Sequence, residues 1–178
     1  MPKGWFKTDE QDGERTLQEQ MTGLSEALGE ASGMSVLDLG CAEGLIALEF
    51  AKAGALRVTG IECNPVTVQA SRKYCGQRCR IELGNLNTIL LPAWPWDVVL
   101  ALAILHKLRD PAGMVAQIAQ TGAKLVVVRL PKGSTGKIVT KHYGTACDLI
   151  DEFTKNGFAL RTLIPGPFGE LVQYWRRS

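Results

Sequence analysis

The 178-residue chain has only two histidines and few aromatics, at 7%. It has no apolar stretch of the roughly 20 residues that a bilayer requires. Its opening segment, Met1 to Gln20, is polar and charged and lacks the apolar core of a signal peptide. No strong charge imbalance is present either: the formal net charge is +2, too small by itself to indicate a nucleic-acid or membrane surface. The five cysteines, Cys41, Cys63, Cys75, Cys79 and Cys147, are odd in number, which argues against an oxidised scaffold and for a cytoplasmic setting. Cys75 and Cys79 have no neighbouring histidine or second cysteine pair, so no metal site is expected. A dinucleotide-binding fingerprint, G-x-G-x-x-G, is also missing. Its middle glycine is what lets a pyrophosphate touch the backbone.

The turn present instead is Gly40-Cys41-Ala42-Glu43-Gly44, preceded by the strand-like run Val36-Leu37-Asp38-Leu39. Glu43 puts a negative charge at the helix start, where a phosphate would otherwise sit, so a pyrophosphate ligand is disfavoured. A second strand-like run, Arg57–Ile61, ends at Glu62. In a βαβ unit such an acid sits where it can take the hydroxyls of a ribose. Together these residues predict a site for a nucleoside-containing cofactor. Asp38 and the loop carbonyls suit an ammonium group on that ligand.

At 178 residues the chain is long enough for one domain with a full core. We read it as a single unit, with residues 1–33 an N-terminal extension and helix and residues 34–178 the core. Strand-like runs at Ser35–Leu39, Arg57–Ile61, Arg80–Leu83, Asp97–Ala101 and Lys124–Leu130 alternate with helix-like runs at Leu45–Ala53, Pro65–Tyr74 and Pro111–Gln120. Most of the strand runs are continuously apolar, as strands buried on both faces are. This alternation predicts a parallel sheet with helices on both faces. Asn64-Pro65 and Asp110-Pro111 are helix starts, each a capping side chain followed by proline. A leading helix is expected over Leu17–Leu28 and a late one from about Ala146 to Lys155. Phe158–Leu163 and Leu171–Trp175, joined by a short turn, must pair antiparallel.

From Val36 to Gly44 the sequence resembles the first motif of the class I S-adenosylmethionine-dependent methyltransferases, and the resemblance extends over about residues 35 to 175. It implies a three-layer α/β/α sandwich whose seven-stranded, mostly parallel sheet has strand order 3-2-1-4-5-7-6 and an antiparallel terminal hairpin. It implies S-adenosyl-L-methionine as cofactor, held by Asp38, Gly40, Cys41, Ala42, Gly44 and Glu62. Cys63 then lies beside the adenine or simply packs, Asn85 bonds the adenine amino group or serves as a turn residue, Leu86 offers a backbone N–H and Ala101 contacts the cofactor through its backbone.

The loop after the fourth strand, Ala101-Leu102-Ala103-Ile104, lacks several acceptor signatures. It has neither the Asp/Asn-Pro-Pro-aromatic of amino-methylating nucleobase enzymes, nor a cysteine nucleophile, nor the acid of a ribose-methylating tetrad. It resembles the Leu-His motif of small-molecule and some tRNA-modifying methyltransferases. His106 is the candidate general base, against packing under the loop, capping the next helix or only contacting the cofactor. Methyl transfer to an already nucleophilic acceptor needs mainly proximity. Lys132, Lys137, Lys141, His142 and Arg129 form a basic rim suited to an anionic substrate group, or simply a solvated loop. Trp5-Phe6-Lys7 is either a lid over the acceptor or a tail. The expected acceptor is a small molecule. RNA- or protein-directed transfer, and a catalytically inactive cofactor-binding or partner module of the same fold, are the alternatives; a nucleic-acid acceptor is left open but is not indicated by charge, and no membrane association is expected.

Overall fold

The computed structural model describes residues 4–7 and 13–178, with the side chains of Gly4 and Trp5 outside that description. Seven strands form the main sheet: β1 Ser35–Leu39, β2 Arg57–Glu62, β3 Arg80–Leu83, β4 Val98–Leu102, β5 Leu125–Leu130, β6 Phe158–Pro165 and β7 Leu171–Arg177. Their spatial order is β3-β2-β1-β4-β5-β7-β6, with β7 antiparallel to both neighbours and every other pair parallel. This is the order and the reversed hairpin that the resemblance implied.

Among the described residues, six α-helices cover the sheet: α1 Leu17–Met21, α2 Ser25–Gly29, α3 Leu45–Lys52, α4 Pro65–Cys75, α5 Pro111–Gln120 and α6 Leu149–Lys155. Side chains alternate along the central strands, so each strand feeds two cores. Val36, Val127 and Val172 join one with Leu24, Phe50 and Val68 from α2, α3, α4 and the residues flanking them. Leu37, Val126 and Trp175 join the other with Met114, Leu149 and Phe153 from α5 and α6. Trp175 stacks on Phe153 with ring centroids 4.8 Å apart. The helix starts follow from their caps. Asn64 accepts from the Val66 N–H at 2.9 Å and Asp110 from the Gly113 N–H at 2.8 Å, each with proline at the first helical position.

Several element ends shift by one or two residues, and three larger or better explained differences stand out. The leading helix is two helices, because Gly23 between them sits at φ +80° and a Cβ there would lie 2.9 Å from Val172. The late helix starts at Leu149, since Asp148 is its cap, accepting from the N–H groups of Ile150 and Asp151. Ala146–Asp148, expected as helix, pairs instead with Lys137–Val139 in a small antiparallel ribbon. Asp97 lies just before β4, where it accepts from the Ser35 N–H at 2.9 Å and pairs with Lys124 at 2.7 Å. Lys124 and Ser35 together hold that carboxyl down at about 2. Residues Gly4–Phe6 and Gly13–Arg15 form a second small ribbon, parallel, outside the main sheet. Phe6 is buried in the first core, so this segment is no free tail.

Candidate functional site

The carboxyl ends of β1, β2 and β4 meet at a cleft, as open α/β sheets place their ligand crevices. The glycine turn forms its floor. Gly40 and Cys41 both donate to the Ile61 carbonyl, at 2.8 and 3.0 Å, and Gly44 donates to the Cys41 carbonyl at 2.8 Å. Gly40 at φ +72° and Gly44 at φ +75° take the left-handed conformation that favours glycine. Ala42 adopts φ +48° between them. A Cβ on Gly40 would come within 2.9 Å of Ile104 Cδ1, and one on Gly44 within 2.8 Å of Cys75 Sγ. The turn is thus compressed between the β4 loop and α4.

Glu62 closes the cleft's middle. Its Oε1 accepts from the Cys63 and Asn64 N–H groups, both at 2.8 Å, and its Oε2 accepts from Ala42 at 3.2 Å. Oε1 is thereby filled, while Oε2 keeps one acceptor position for an incoming hydroxyl. Two adjoining cavities of about 290 and 280 Å³ share Gly40, Glu62, Cys63, Ile104 and Lys107 as walls. Ile61, Asn85, Leu86, Leu108 and Tyr143 line the first. Ala42, Glu43, Thr67, Leu102 and Ala103 line the second.

Of the sequence candidates, Gly40, Ala42, Glu62, Cys63, Asn85 and Leu86 therefore come together at the cleft. Asp38, Cys41, Gly44 and Ala101 line neither cavity, while His142 of the expected basic rim lines the first. Ala101 lies inside β4, fully buried and paired with Val128, so the loop contact passes to Leu102, Ala103 and Ile104. Cys41 is buried with its Sγ against Gly60, and burial raises its thiol pKa. Asp38 is 3% exposed. Burial pushes its carboxyl up to about 7, with Glu62 adding to the shift and Arg129 opposing it. Asn85 is exposed, but its Oδ1 already accepts from the Asn87 N–H at 3.0 Å, leaving one acceptor position. Glu43, which lines the second cavity, is buried, and its Oε2 accepts from the Phe6 N–H at 3.3 Å, tying the N-terminal ribbon to the glycine turn.

His106 does not line either cavity. It sits in the 3-10 turn Leu105–Lys107, where burial first and then Lys107 and Lys141 push its pKa down to about 4. A group that weakly basic is a poor match for proton abstraction near neutral pH. Lys107 was missed by sequence reasoning, although it lines both cavities. Among the described residues, no group of three or more His, Cys, Asp and Glu side chains could hold a metal ion. Nor is any helix among them long and apolar enough to cross a membrane.

The other flank of the site is a buried charge network. Arg129, 1% exposed at the end of β5, donates from Nη1 to Gln20 Oε1 and from Nη2 to the Gln20 carbonyl, each at 2.5 Å. Glu170 lies 3.9 Å from Arg129 Nε and takes a two-pronged bond from Arg15, at 3.2 and 3.1 Å. Burial pulls the Arg129 pKa down to about 10, with Glu170 opposing, so the guanidinium stays charged at neutral pH. Arg129 therefore belongs to the buried framework and not to the basic rim where its sequence position had put it.

Comparison with known proteins agrees with this geometry. The family model described as a methyltransferase domain matches residues 36–123. A ribosomal protein L11 methyltransferase of Pectobacterium carotovorum is 29% identical over 137 residues, covering 74% of this chain and 43% of that protein. The chain thus spans less than half the length of this curated relative. The structure of a putative S-adenosylmethionine-dependent methyltransferase from Listeria monocytogenes matches with a TM-score of 0.72 at 16% identity, covering 90% of this chain and 99% of that one. Magnesium protoporphyrin IX methyltransferase from Synechocystis PCC 6803, solved with bound SAH, matches with a TM-score of 0.68 at 18% identity, covering 94% and 90%. At such identities the structural matches speak for the fold.

Proposed function

Because the chain belongs to the class I, Rossmann-like methyltransferase family, we propose that it binds S-adenosyl-L-methionine in this cleft and transfers the methyl group to a small-molecule acceptor. The observation that carries this reading is Glu62, a carboxylate fixed at the end of β2 by three backbone N–H groups and facing the glycine turn. The residues fit the cofactor. The two cavities together have the size of a small-ligand site, typically about 300–1,000 Å³. The compressed glycine at 40 keeps the floor free of a Cβ. When bound, the cofactor supplies an electrophilic methyl group on a cationic sulfur.

The chain's residues then have separate tasks. Glu62 Oε2 takes a ribose hydroxyl. Cys63, Asn85 and Leu86 flank the base, and the backbone from Gly40 to Ala42 approaches the remainder. Asp38, Cys41 and Gly44 shape the turn from behind, and Asp38 and Glu43 place carboxyl groups on the side where positive charge is expected. Leu102, Ala103 and Ile104 form the rim at which the acceptor is presented. No side chain is assigned to proton transfer, so catalysis rests on orientation and exclusion of water. The acceptor must then arrive already nucleophilic. The five cysteines are all free, two of them at the glycine turn and the cleft, which supports a cytoplasmic setting in this reading.

A protein acceptor is the second reading, favoured by the ribosomal protein methyltransferase similarity. The test is calorimetry with S-adenosylhomocysteine. Wild type should bind at micromolar concentration, and Glu62→Gln should weaken binding about tenfold or more, the scale of a lost charge-assisted hydrogen bond. Absence of binding by the wild type would sink the reading. Labelled methyl donor in a lysate then separates the acceptors. Label in the small-molecule fraction supports the first reading, label in protein the second, and no label a cofactor-binding module without transfer.

A further inference from the structure

The ribbon between β5 and α6 lies outside residues 36–123, yet its tip reaches the cleft. Its strands, Lys137–Val139 and Ala146–Asp148, are pinned by Ile138, which is buried in the second core, and by the Leu149 N–H to the Gly136 carbonyl at 3.0 Å. The tip, residues 140–145, closes on itself. Thr140 accepts through its carbonyl from Gly144 at 3.0 Å and through Oγ1 from the Thr145 N–H at 2.9 Å. Two bonds then dock the tip onto the segment after β4. The Lys141 N–H donates to the His106 carbonyl at 2.7 Å, and Thr145 Oγ1 donates to the Arg109 carbonyl at 3.4 Å. This fastening holds an aromatic side chain in place. Tyr143 lines the cavity with Ile61, Leu86 and Leu108, and the Arg109 guanidinium sits 5.3 Å from its ring centroid.

We propose that Tyr143 is a base-binding residue of the cofactor site, forming the outer wall against which the adenine ring packs. The proposal rests on the reading of the cleft as a nucleoside site. A purine needs apolar surface for its faces and amide groups for its edge, and this cavity offers both. Ile61, Leu86 and Leu108 supply the first, Asn85 and Asn87 the second, and Glu62 at its boundary fixes the neighbouring ribose. An aromatic ring adds stacking that aliphatic walls do not provide, and it tolerates a ring ligand without demanding a particular hydrogen bond. Tyr143 is 43% exposed, a large amphipathic ring held at the mouth of a cavity. Covering its free surface with a planar ligand gives that exposure a use.

The test compares two ligands on three proteins: S-adenosylhomocysteine and 5′-methylthioadenosine, which lacks the amino-acid tail, on wild type, Tyr143→Ala and Tyr143→Phe. Tyr143→Ala should weaken both ligands by the same factor, about fivefold, and Tyr143→Phe should bind both like the wild type. Amide exchange at residues 140–145 should slow when either ligand is added to the wild type. Tyr143→Ala binding both ligands at wild-type strength overturns the proposal while leaving the proposed function intact. So does a loss confined to the ligand with the tail. Failure of the wild type to bind either ligand removes the proposed function and this assignment with it. The exposed position makes folding of the variants straightforward to verify by thermal melting. Should Tyr143→Ala melt early, the Phe variant and the exchange measurement decide.

Discussion

The two flanks of the cleft are built in opposite ways. The glycine-turn flank, residues 35–64, is held by backbone groups: Gly40 and Cys41 bond Ile61, and Ala42, Cys63 and Asn64 bond the one carboxylate of Glu62. The opposite flank, where residues 13–24 meet β5 and β7, is held by side chains. Arg129 bonds Gln20, Arg15 bonds Glu170, and the Tyr174 hydroxyl donates to the Gly23 carbonyl at 2.7 Å. A backbone-built flank depends on a few residues with special conformations. A side-chain-built flank depends on partners more than a hundred positions apart in the chain. The first tolerates sequence change except at its glycines and at Glu62; the second fails when any buried charge loses its partner.

The largest expected effect is therefore on the side-chain flank. Arg129→Met removes a guanidinium that is almost wholly buried and leaves Gln20 without its partner and Glu170 with only Arg15. Breaking a buried pair at one end costs about 3–5 kcal/mol. Urea denaturation of the variant should show a loss of that size, and the N-terminal segment should become the first site of proteolytic cleavage. A loss under about 1 kcal/mol would mean that the network is no stronger than a surface ion pair, and the contrast between the flanks would collapse.

The backbone flank should respond differently to Gly40→Ala. The left-handed conformation at φ +72° costs a non-glycine residue roughly 1 kcal/mol. The new methyl would also lie 2.9 Å from Ile104 Cδ1. That atom is the end of a flexible side chain, so Ile104 yields, and it yields within the cleft whose wall it forms. We expect a stability loss of about 1–2 kcal/mol and a loss of S-adenosylhomocysteine affinity of about tenfold. The two flanks are thereby separated: Arg129→Met acts chiefly on folding, Gly40→Ala chiefly on binding. Unchanged affinity in the glycine variant would show that Ile104 is not part of the ligand wall.

The same contrast explains what could be read from the sequence. The glycine turn, Glu62 and the capped helices were legible because their signals are local: a glycine where φ is positive, an asparagine or aspartate before a proline, an acid closing an apolar strand. The sheet order came from the resemblance, and the alternation of elements supported it. The Arg129–Gln20 pair was not legible, because nothing local distinguishes a buried arginine from one on a basic loop. The ribbon at 137–148 was missed for a related reason: its strands are three residues each and lack period-two apolar alternation beyond Ile138. The late helix could have been placed correctly from Asp148, whose capping spacing to Asp151 was overlooked in favour of an earlier start at Ala146. The backbone contact expected at Ala101 moves one residue along, because the strand extends through Leu102 and Ala101 pairs with Val128 inside the sheet.

The smallest expected effect uses pH to set Asp38, which lies between the flanks, against His106 in the turn after β4. Burial raises the Asp38 carboxyl to about 7, from an ordinary value near 4. Between those values the folded chain keeps a proton that the unfolded chain has released. Its contribution is fully present below about pH 4 and is lost as pH rises toward 7. His106 works in the opposite direction. Burial lowers it to about 4, against about 6.5 for a free histidine, so the unfolded chain binds the extra proton and stability rises with pH across that window. The two slopes oppose each other from about pH 4 to 6.5, and the wild type should be nearly flat there. Asp38→Asn should expose the rising limb alone, and His106→Gln the falling limb alone. Urea midpoints at several pH values between 4 and 7 test this, and the limb exposed by Asp38→Asn should be the shallower, because His106 is only half-buried. Two variants that both track the wild type would place neither group in the buried environment described above. Opposite slopes would instead show that the stability of the glycine-turn flank depends in part on the charge of Asp38, whose shift Arg129 opposes.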